Sequence, residues 1–147
     1  MNFIPAKCIE FNEKRRICTA LQNGKTYRLN NESGFTIRKV VVDNCLIQGI
    51  GERRCDYLMN YEGHNFKRVI FIELKGGALV DALKQIFSTI VLLKEDFKNH
   101  QIDARIVGSR DVPGFINTPE YRKLAKEVIP TNGKVERGTN KIYEETV

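Results

Sequence analysis

The sequence lacks any long hydrophobic stretch. No segment approaches the ~18 consecutive apolar residues that a membrane-spanning helix requires. The opening residues, Met-Asn-Phe-Ile-Pro, do not have the charged and apolar regions of a secretory signal peptide. These absences argue against a membrane protein, and we expect a cytoplasmic one.

Closely spaced cysteine pairs are also missing. The four cysteines, at positions 8, 18, 45 and 55, include no C-x-x-C motif. Structural zinc sites usually draw paired ligands from tight knuckles, so a zinc site is disfavoured. We expect four reduced, mostly buried cysteines, which is typical of a cytosolic protein.

The chain has no internal repeat, no low-complexity tract and no long block of one charge. Its net charge is nevertheless +6, with a pI near 9.2, and the basic residues are scattered along the sequence. This balance is compatible with a polyanionic partner, without indicating a disordered basic tail. With 147 residues, 41% hydrophobic and 29% charged, the sequence predicts one globular domain spanning 1–147.

The most informative segment is a buried-type strand that ends in charged residues. The apolar run Val-Ile-Phe-Ile at 69–72 is followed by Glu73-Leu74-Lys75 and then by two glycines. A run of this composition belongs in the middle of a sheet. Because residues i and i+2 of a strand share a face, Glu73 and Lys75 should project side by side from the end of this strand.

A second acid is expected opposite Glu73. If residues 63–66 form the loop of a hairpin, Glu62 pairs with Lys67 and Asp56 lies opposite Glu73. A register slip of one residue would put the two acids on opposite faces. Directly opposed side chains have Cβ atoms roughly 4.5–5.5 Å apart, and two carboxylates this close need a cation or a shared proton. Such a site suits one Mg²⁺-like cation.

Asp56, then Glu73-x-Lys75 and a helix, resembles the PD-(D/E)xK nuclease superfamily with its restriction-endonuclease-like core. The resemblance covers roughly residues 36–108. It implies that Asp56 and Glu73 hold a divalent metal, Mg²⁺ or Mn²⁺, with the main-chain carbonyl of Leu74 as a further ligand. It also implies that Lys75 orients or activates the attacking water and stabilises charge on the phosphate.

Two further positions bear on the resemblance. Some members of the superfamily carry a glutamine on the helix after the lysine strand, and Gln85 stands at that place. The proline that sometimes precedes the first acid is absent, and Cys55 stands there instead. A polar residue such as Gln85 on the flank of a helix is also commonly a solvent-exposed residue without a role in a site.

Several alternatives remain open at this stage. Asp43 is a rival for the first acid, although its neighbour Asn44 favours a turn. The superfamily often adds an acid from an N-terminal helix, for which Glu10 and Glu13 are candidates, and Glu52, from the loop before Asp56, is a third. Glu-x-Lys can also be a solvated salt bridge on an exposed edge, which contributes little energetically.

The periodicities predict a mixed sheet. Strands at about 35–48, 53–60 and 67–75 form an antiparallel meander. An amphipathic helix follows Gly77, with apolar residues at helical spacing between 79 and 97. A strand from 103 to about 109 then lies parallel to its neighbour. Thr118-Pro119 begins a helix that runs to about 129, and 133–147 is an edge strand or a tail. Within residues 1–35, the segment from Cys8 to Leu21 is a short helix or a strand pair, and Gln22-Asn-Gly-Lys is a turn.

The fold class predicted is α/β: a mixed sheet with a three-strand meander, a crossover helix and a parallel strand, similar to restriction endonucleases. The predicted function is metal-dependent hydrolysis of phosphodiester bonds in nucleic acid, DNA by resemblance, with a homodimer or larger complex as an option. The alternative is a catalytically inactive subunit that keeps the fold for nucleic-acid binding or assembly.

Overall fold

The computed structural model describes residues 3–49, 54–74 and 78–147. Lys75 and Glu52 therefore lie outside the described residues. The strands within these ranges are β1 (Ile9–Glu13), β2 (Ile17–Gln22), β3 (Lys25–Asn30), β4 (Ile37–Val41), β5 (Tyr57–Glu62), β6 (Lys67–Leu74), β7 (Gln101–Val107), β8 (Val135–Gly138) and β9 (Ile142–Thr146). The α-helices are α1 (Leu79–Leu93) and α2 (Pro119–Val128).

The described strands form one large and one small sheet. The large sheet has the order β1-β4-β5-β6-β7-β8. Its first four strands are antiparallel, whereas β6, β7 and β8 are parallel. The predicted meander, crossover helix and parallel strand are therefore confirmed as β4-β5-β6, α1 and β7. The chain belongs to the α/β class with mixed sheets.

Successive side chains of β6 point to opposite faces of the large sheet, and each face is covered by a separate hydrophobic core. Val69 and Phe71 face one core together with the buried sides of α1 and α2. Ile70 and Ile72 face a second core, which is closed by the small sheet of order β2-β3-β9. Because both faces are covered, β6 is apolar from Val69 to Ile72, as the middle of a central strand should be.

The two helices begin and pack as the sequence predicts. Leu83, Ile86 and Ile90 of α1 recur at helical spacing and are fully buried. The side chain of Thr118 accepts a hydrogen bond from the Tyr121 N–H, which caps α2 at its N-terminus. No helix in the described part of the chain has the length and hydropathy needed to cross a bilayer.

Some predicted bounds need correction. The strand expected at 35–48 covers only 37–41, because Asp43 and Asn44 form a turn in which Asn44 takes a positive φ of 60°. The segment before residue 35 forms β1, β2 and β3 rather than a helix of more than one turn. The segment from 133 onward supplies β8, at the edge of the large sheet, and β9, which pairs with β3.

The prediction of four reduced cysteines is wrong for two of them. Cys8 and Cys45 form a disulfide, with Cα atoms 5.6 Å apart. Cys8 precedes β1 and Cys45 follows β4, so the pairing of these two strands brings them together. Cys18 and Cys55 are buried free thiols. A pairing between cysteines 37 residues apart depends on tertiary structure that spacing alone does not show.

A buried ionic network joins the two sheets. Arg68 Nε donates to Asp103 at 2.7 Å, and Arg105 Nε donates to Glu145 at 2.8 Å. The Tyr27 hydroxyl from the small sheet donates to the same Glu145 carboxylate at 2.7 Å. Burial by itself raises the pKa of Asp103, but the two arginines outweigh it and lower that pKa below its ordinary value. The network satisfies charges that would otherwise be costly to bury.

Candidate functional site

The predicted hairpin register is confirmed. Glu62 pairs with Lys67, and the same register continues to Tyr57 opposite Ile72. One residue further along this register lie Asp56 and Glu73, where the regular strand pairing ends. The Asp56 N–H donates to the Ile72 carbonyl at 3.1 Å, which keeps the two segments together. The two acids are thus brought together at the C-terminal end of β6.

Each of the two carboxylates accepts a hydrogen bond from a main-chain N–H of the neighbouring segment. The Leu74 N–H donates to Asp56 Oδ2 at 2.8 Å, and the Asp56 N–H donates to Glu73 Oε1 at 3.1 Å. Asp56 is 8% exposed and Glu73 only 2%. These main-chain donors hold the two carboxylates in fixed orientations at the hairpin end.

Gln85 lies beside Glu73. With the amide oriented so that its nitrogen faces the acid, Nε2 donates to Glu73 Oε2 at 2.8 Å and to the Asp81 carbonyl at 3.2 Å. Gln85 sits on the first turns of α1, so this contact fixes the helix against the end of β6. The sequence-predicted position of Gln85 at the acids is therefore observed, and its side chain is only partly exposed.

Thr89, one turn further along α1, anchors the strand that carries Asp56. Its hydroxyl donates to the Gln85 carbonyl at 2.8 Å and accepts a hydrogen bond from the Cys55 N–H, also at 2.8 Å. Sequence reasoning missed Thr89. A threonine on the buried face of an otherwise apolar helix is the signal that could have indicated a polar contact there.

The carbonyl of Leu74, predicted as a metal ligand, is contacted from the small sheet. Asn23 Nδ2 donates to this oxygen at 3.2 Å. Asn23 and Gly24 both have positive φ, 55° and 71°, and join β2 to β3 in a two-residue turn of type I′. Sequence reasoning identified this Asn-Gly turn but not that it reaches the site.

Lys25 follows the turn and is nearly buried, with 8% exposure. Its ammonium donates to the main-chain carbonyl of Asn23 at 3.1 Å. Lys25, Asn23 and Leu74 therefore form a chain of contacts that ends at Asp56. Sequence reasoning did not single out this lysine, because nothing local distinguishes it from the other scattered basic residues.

The rival acids lie in other contacts. Arg54 Nε donates to the Asp43 carboxylate. Glu10 pairs with Lys39 at 2.7 Å, and Glu13 receives hydrogen bonds from the Arg15 guanidinium. Glu10 and Glu13 stand on a strand, β1, rather than on the N-terminal helix that the resemblance implies. Asp43 contacts Asp56 through the main chain, because the Asp43 N–H donates to the Asp56 carbonyl at 3.5 Å.

Cys55, directly before Asp56 in the sequence, is fully buried. Burial, and then the nearby negative charge of Glu73, raise the pKa of its thiol well above the ordinary value. The thiol is therefore protonated at neutral pH and is no nucleophile. Its place here is as a packed side chain behind the hairpin end.

The hairpin end carries oxygen donor atoms of the kind that hard cations bind. Among the described residues, no group of three or more His, Cys, Asp or Glu side chains is arranged to hold a metal. Mg²⁺, however, commonly binds through one or two carboxylates while keeping several waters. Asp56, Glu73 and the Leu74 carbonyl provide such oxygens, and each hydrogen-bonded oxygen still has a second lone pair.

Comparison with known proteins adds no relative. No protein-family model, no curated protein and no solved structure matches this chain.

Proposed function

We propose that this chain is a metal-dependent nuclease that hydrolyses phosphodiester bonds, with DNA as the substrate class. Asp56, Glu73 and the Leu74 carbonyl are the metal ligands, with Mg²⁺ or Mn²⁺ as the ion. Lys75 stabilises charge on the phosphate, and Gln85 orients Glu73. A restriction-endonuclease-like core, made by β4-β5-β6, α1 and β7, is part of the same proposal.

The observation that supports it best is the meeting of two buried acids at the end of adjacent strands. Asp56 and Glu73 are 17 residues apart, and the hairpin register carries both to one place. Carboxylate oxygens brought together in this way are the ligands that Mg²⁺ and similar hard cations prefer. A bound divalent ion would supply Lewis acidity and lower the pKa of a coordinated water.

The protein's own residues give this site its orientation. The Leu74 amide and the Gln85 amide direct the carboxylates of Asp56 and Glu73, respectively. Such pre-set dipoles and charges need no rearrangement as negative charge develops on a phosphate. Lys75 follows Leu74 directly in the sequence, so a positively charged side chain is adjacent to a proposed metal ligand.

The substrate assignment relies on charge and on the resemblance. A net charge of +6 favours association with a polyanion. DNA is proposed over RNA because the superfamily that the motif resembles mostly cuts DNA.

Two measurements test the proposal. Calorimetry with Mn²⁺ should detect one binding site in the parent protein and none in Glu73→Gln, which keeps the size of the side chain. Plasmid and single-stranded DNA should be cut by the parent with Mg²⁺ but not with EDTA. Metal binding without cleavage of any nucleic acid would instead support the inactive binding or assembly subunit, and no metal binding would reject both.

A further inference from the structure

We infer that Lys25 is a phosphate-binding residue, which holds the nucleic-acid backbone beside the acids from the small sheet. The inference rests on the proposed function and names a contact that the Asp-Glu-x-Lys motif does not include. Its evidence is the burial of Lys25, the lack of an acidic partner in the described structure, and its position.

Lys25 and Lys39 are the two buried lysines of the described residues. Lys39 has an acid, Glu10, with its carboxylate 2.7 Å away. For Lys25, no carboxylate in the described parts of the chain lies within ion-pair distance, and its hydrogen bond goes to a neutral carbonyl, that of Asn23. A largely buried lysine without a counter-charge costs free energy, so this lysine is arranged for an anion that arrives from outside.

The position of Lys25 places that anion at the candidate site. Lys25 faces the large sheet, because it shares the buried face of β3 with Tyr27 and Leu29. The adjacent turn residue, Asn23, donates to the Leu74 carbonyl, and the Leu74 amide donates to Asp56. The ammonium is thus linked to the acids through a short series of hydrogen bonds.

The chemistry of the ammonium matches a phosphodiester oxygen. Lysine has three N–H donors, and one is used by the Asn23 carbonyl, which leaves two for a phosphate. The type I′ turn at Asn23 and Gly24 fixes the start of β3. The cation is therefore held in place before the substrate binds, which reduces the entropy lost on binding.

The test compares Lys25→Met, Lys25→Arg and a control, Lys98→Met. Methionine keeps the apolar stem without the charge, and arginine keeps the charge. Lys98 is exposed and precedes β7, near the start of β6 and therefore at the opposite end of the sheet from Glu73. Affinity for a short fluorescent DNA duplex is measured at several salt concentrations with Ca²⁺ in place of Mg²⁺, so that binding is observed without cleavage.

Lys25→Met should bind the duplex about ten- to a hundredfold more weakly at low salt, since a hydrogen bond to a charged group is lost. The slope of log affinity against log salt should fall by about 0.9, the value for one phosphate contact. Lys25→Arg and Lys98→Met should keep the parental slope. Urea unfolding checks that Lys25→Met folds, and we expect it to, because an apolar side chain of similar volume is well tolerated at a buried charged position.

The outcomes separate this inference from the proposed function. Cleavage by the parent with an unchanged affinity and salt slope in Lys25→Met would overturn the inference and leave the nuclease in place. Lys25-dependent duplex binding by a parent that cuts nothing would support the phosphate contact and reject the catalytic proposal. A loss of stability in Lys25→Met with a parental salt slope would show a structural lysine and also overturn the inference.

Discussion

The backbone N–H of Asp56 donates to the carboxylate of Glu73 at 3.1 Å, so one acid's main chain orients the other acid's side chain. The reciprocal contact, from the Leu74 N–H to Asp56 Oδ2, closes the pair. Removing either carboxylate takes away a proposed metal ligand. Removing that of Asp56 also deprives the Leu74 amide of this acceptor, whereas the Asp56 amide still donates to the Ile72 carbonyl if Glu73 is changed.

The first prediction separates these two effects at Asp56. Asp56→Asn and Asp56→Ala should both abolish metal-dependent cleavage. Asp56→Ala should also lower the free energy of unfolding by about 1–3 kcal/mol, because the Leu74 amide is left unsatisfied, whereas asparagine retains an acceptor oxygen. Cleavage assays and urea unfolding of both variants check this. Full metal-dependent activity in Asp56→Ala would show that the first acid is misassigned.

The second prediction concerns Gln85. Gln85→Ala removes the donor to Glu73 and should reduce turnover moderately, with little effect on stability. Gln85→Glu would oppose two carboxylates and should weaken Mn²⁺ binding or require a bound proton. The matched control is Lys84→Ala, an exposed neighbour on α1. Turnover of Gln85→Ala equal to that of the control would show that Gln85 has no role in turnover.

The third prediction concerns Lys75. An electrostatic role in the transition state predicts that Lys75→Ala lowers the cleavage rate by a factor on the order of 10²–10³. Lys75→Arg should not restore the rate, because a planar fork does not replace a compact point charge. Mn²⁺ affinity should stay similar or rise, since a competing cation is gone. Equal single-turnover rates in parent, Lys75→Ala and Lys75→Arg would leave Glu73-x-Lys75 as a salt bridge only.

The fourth prediction is a loss of stability in acid. For Asp103 and Glu145, burial alone raises the pKa, but the neighbouring arginines, hydrogen bonds included, lower it below the ordinary carboxyl value. The stabilisation from these two ionised carboxylates is therefore complete above about pH 4, which is the carboxyl pKa in an unfolded chain. It is lost as the pH falls through the lower pKa of the folded state. Urea unfolding between pH 7 and pH 3 measures it.

Asp103→Asn provides the comparison for this acid transition. At neutral pH it should lose about 3–5 kcal/mol, because Arg68 and Arg105 keep their buried charge without that partner. The difference between the parent and Asp103→Asn should shrink as the pH falls below about 4. A difference that stays constant down to pH 3 would contradict the coupling of Asp103 to the arginines.

The fifth prediction concerns the disulfide. Reducing Cys8–Cys45 should lower the free energy of unfolding by about 2–4 kcal/mol, because the link restricts the unfolded chain. Urea unfolding with and without a reductant measures this, and Cys45→Ala should reproduce the reduced value. In the folded, oxidised protein, Cys18 and Cys55 should resist thiol reagents because they are buried. Two fast-reacting thiols would contradict this pairing.

The parts that the sequence predicts well depend on local patterns. The hairpin that joins Asp56 to Glu73, the face of α1 and the Thr118 cap each follow from a short periodicity or a single cap. In each case the deciding interactions lie within a few residues or across one turn. The two acids and Gln85 could therefore be placed together before the structure was known.

The missed parts depend on contacts between distant segments. The pairing of β3 with β9 and the link from Cys8 to Cys45 leave no mark on the local sequence. The same holds for Asn23, which forms an ordinary Asn-Gly turn but donates to Leu74, 51 residues away. Tertiary packing, rather than turn chemistry, gives Asn23 its place at the site.

The pairing of β3 with β9 has a consequence for the order in which the protein can fold. The meander and α1 can form as soon as their own residues have been synthesised, but Arg105 lacks its Glu145 counter-charge until β9 follows. Closure of the small sheet over the large one must therefore wait for a strand made more than a hundred residues after its partner. Because long-range pairings form slowly, this step should limit folding during synthesis. Asn23 in the β2–β3 turn and Lys25 at the start of β3 should be among the last groups to reach the acids.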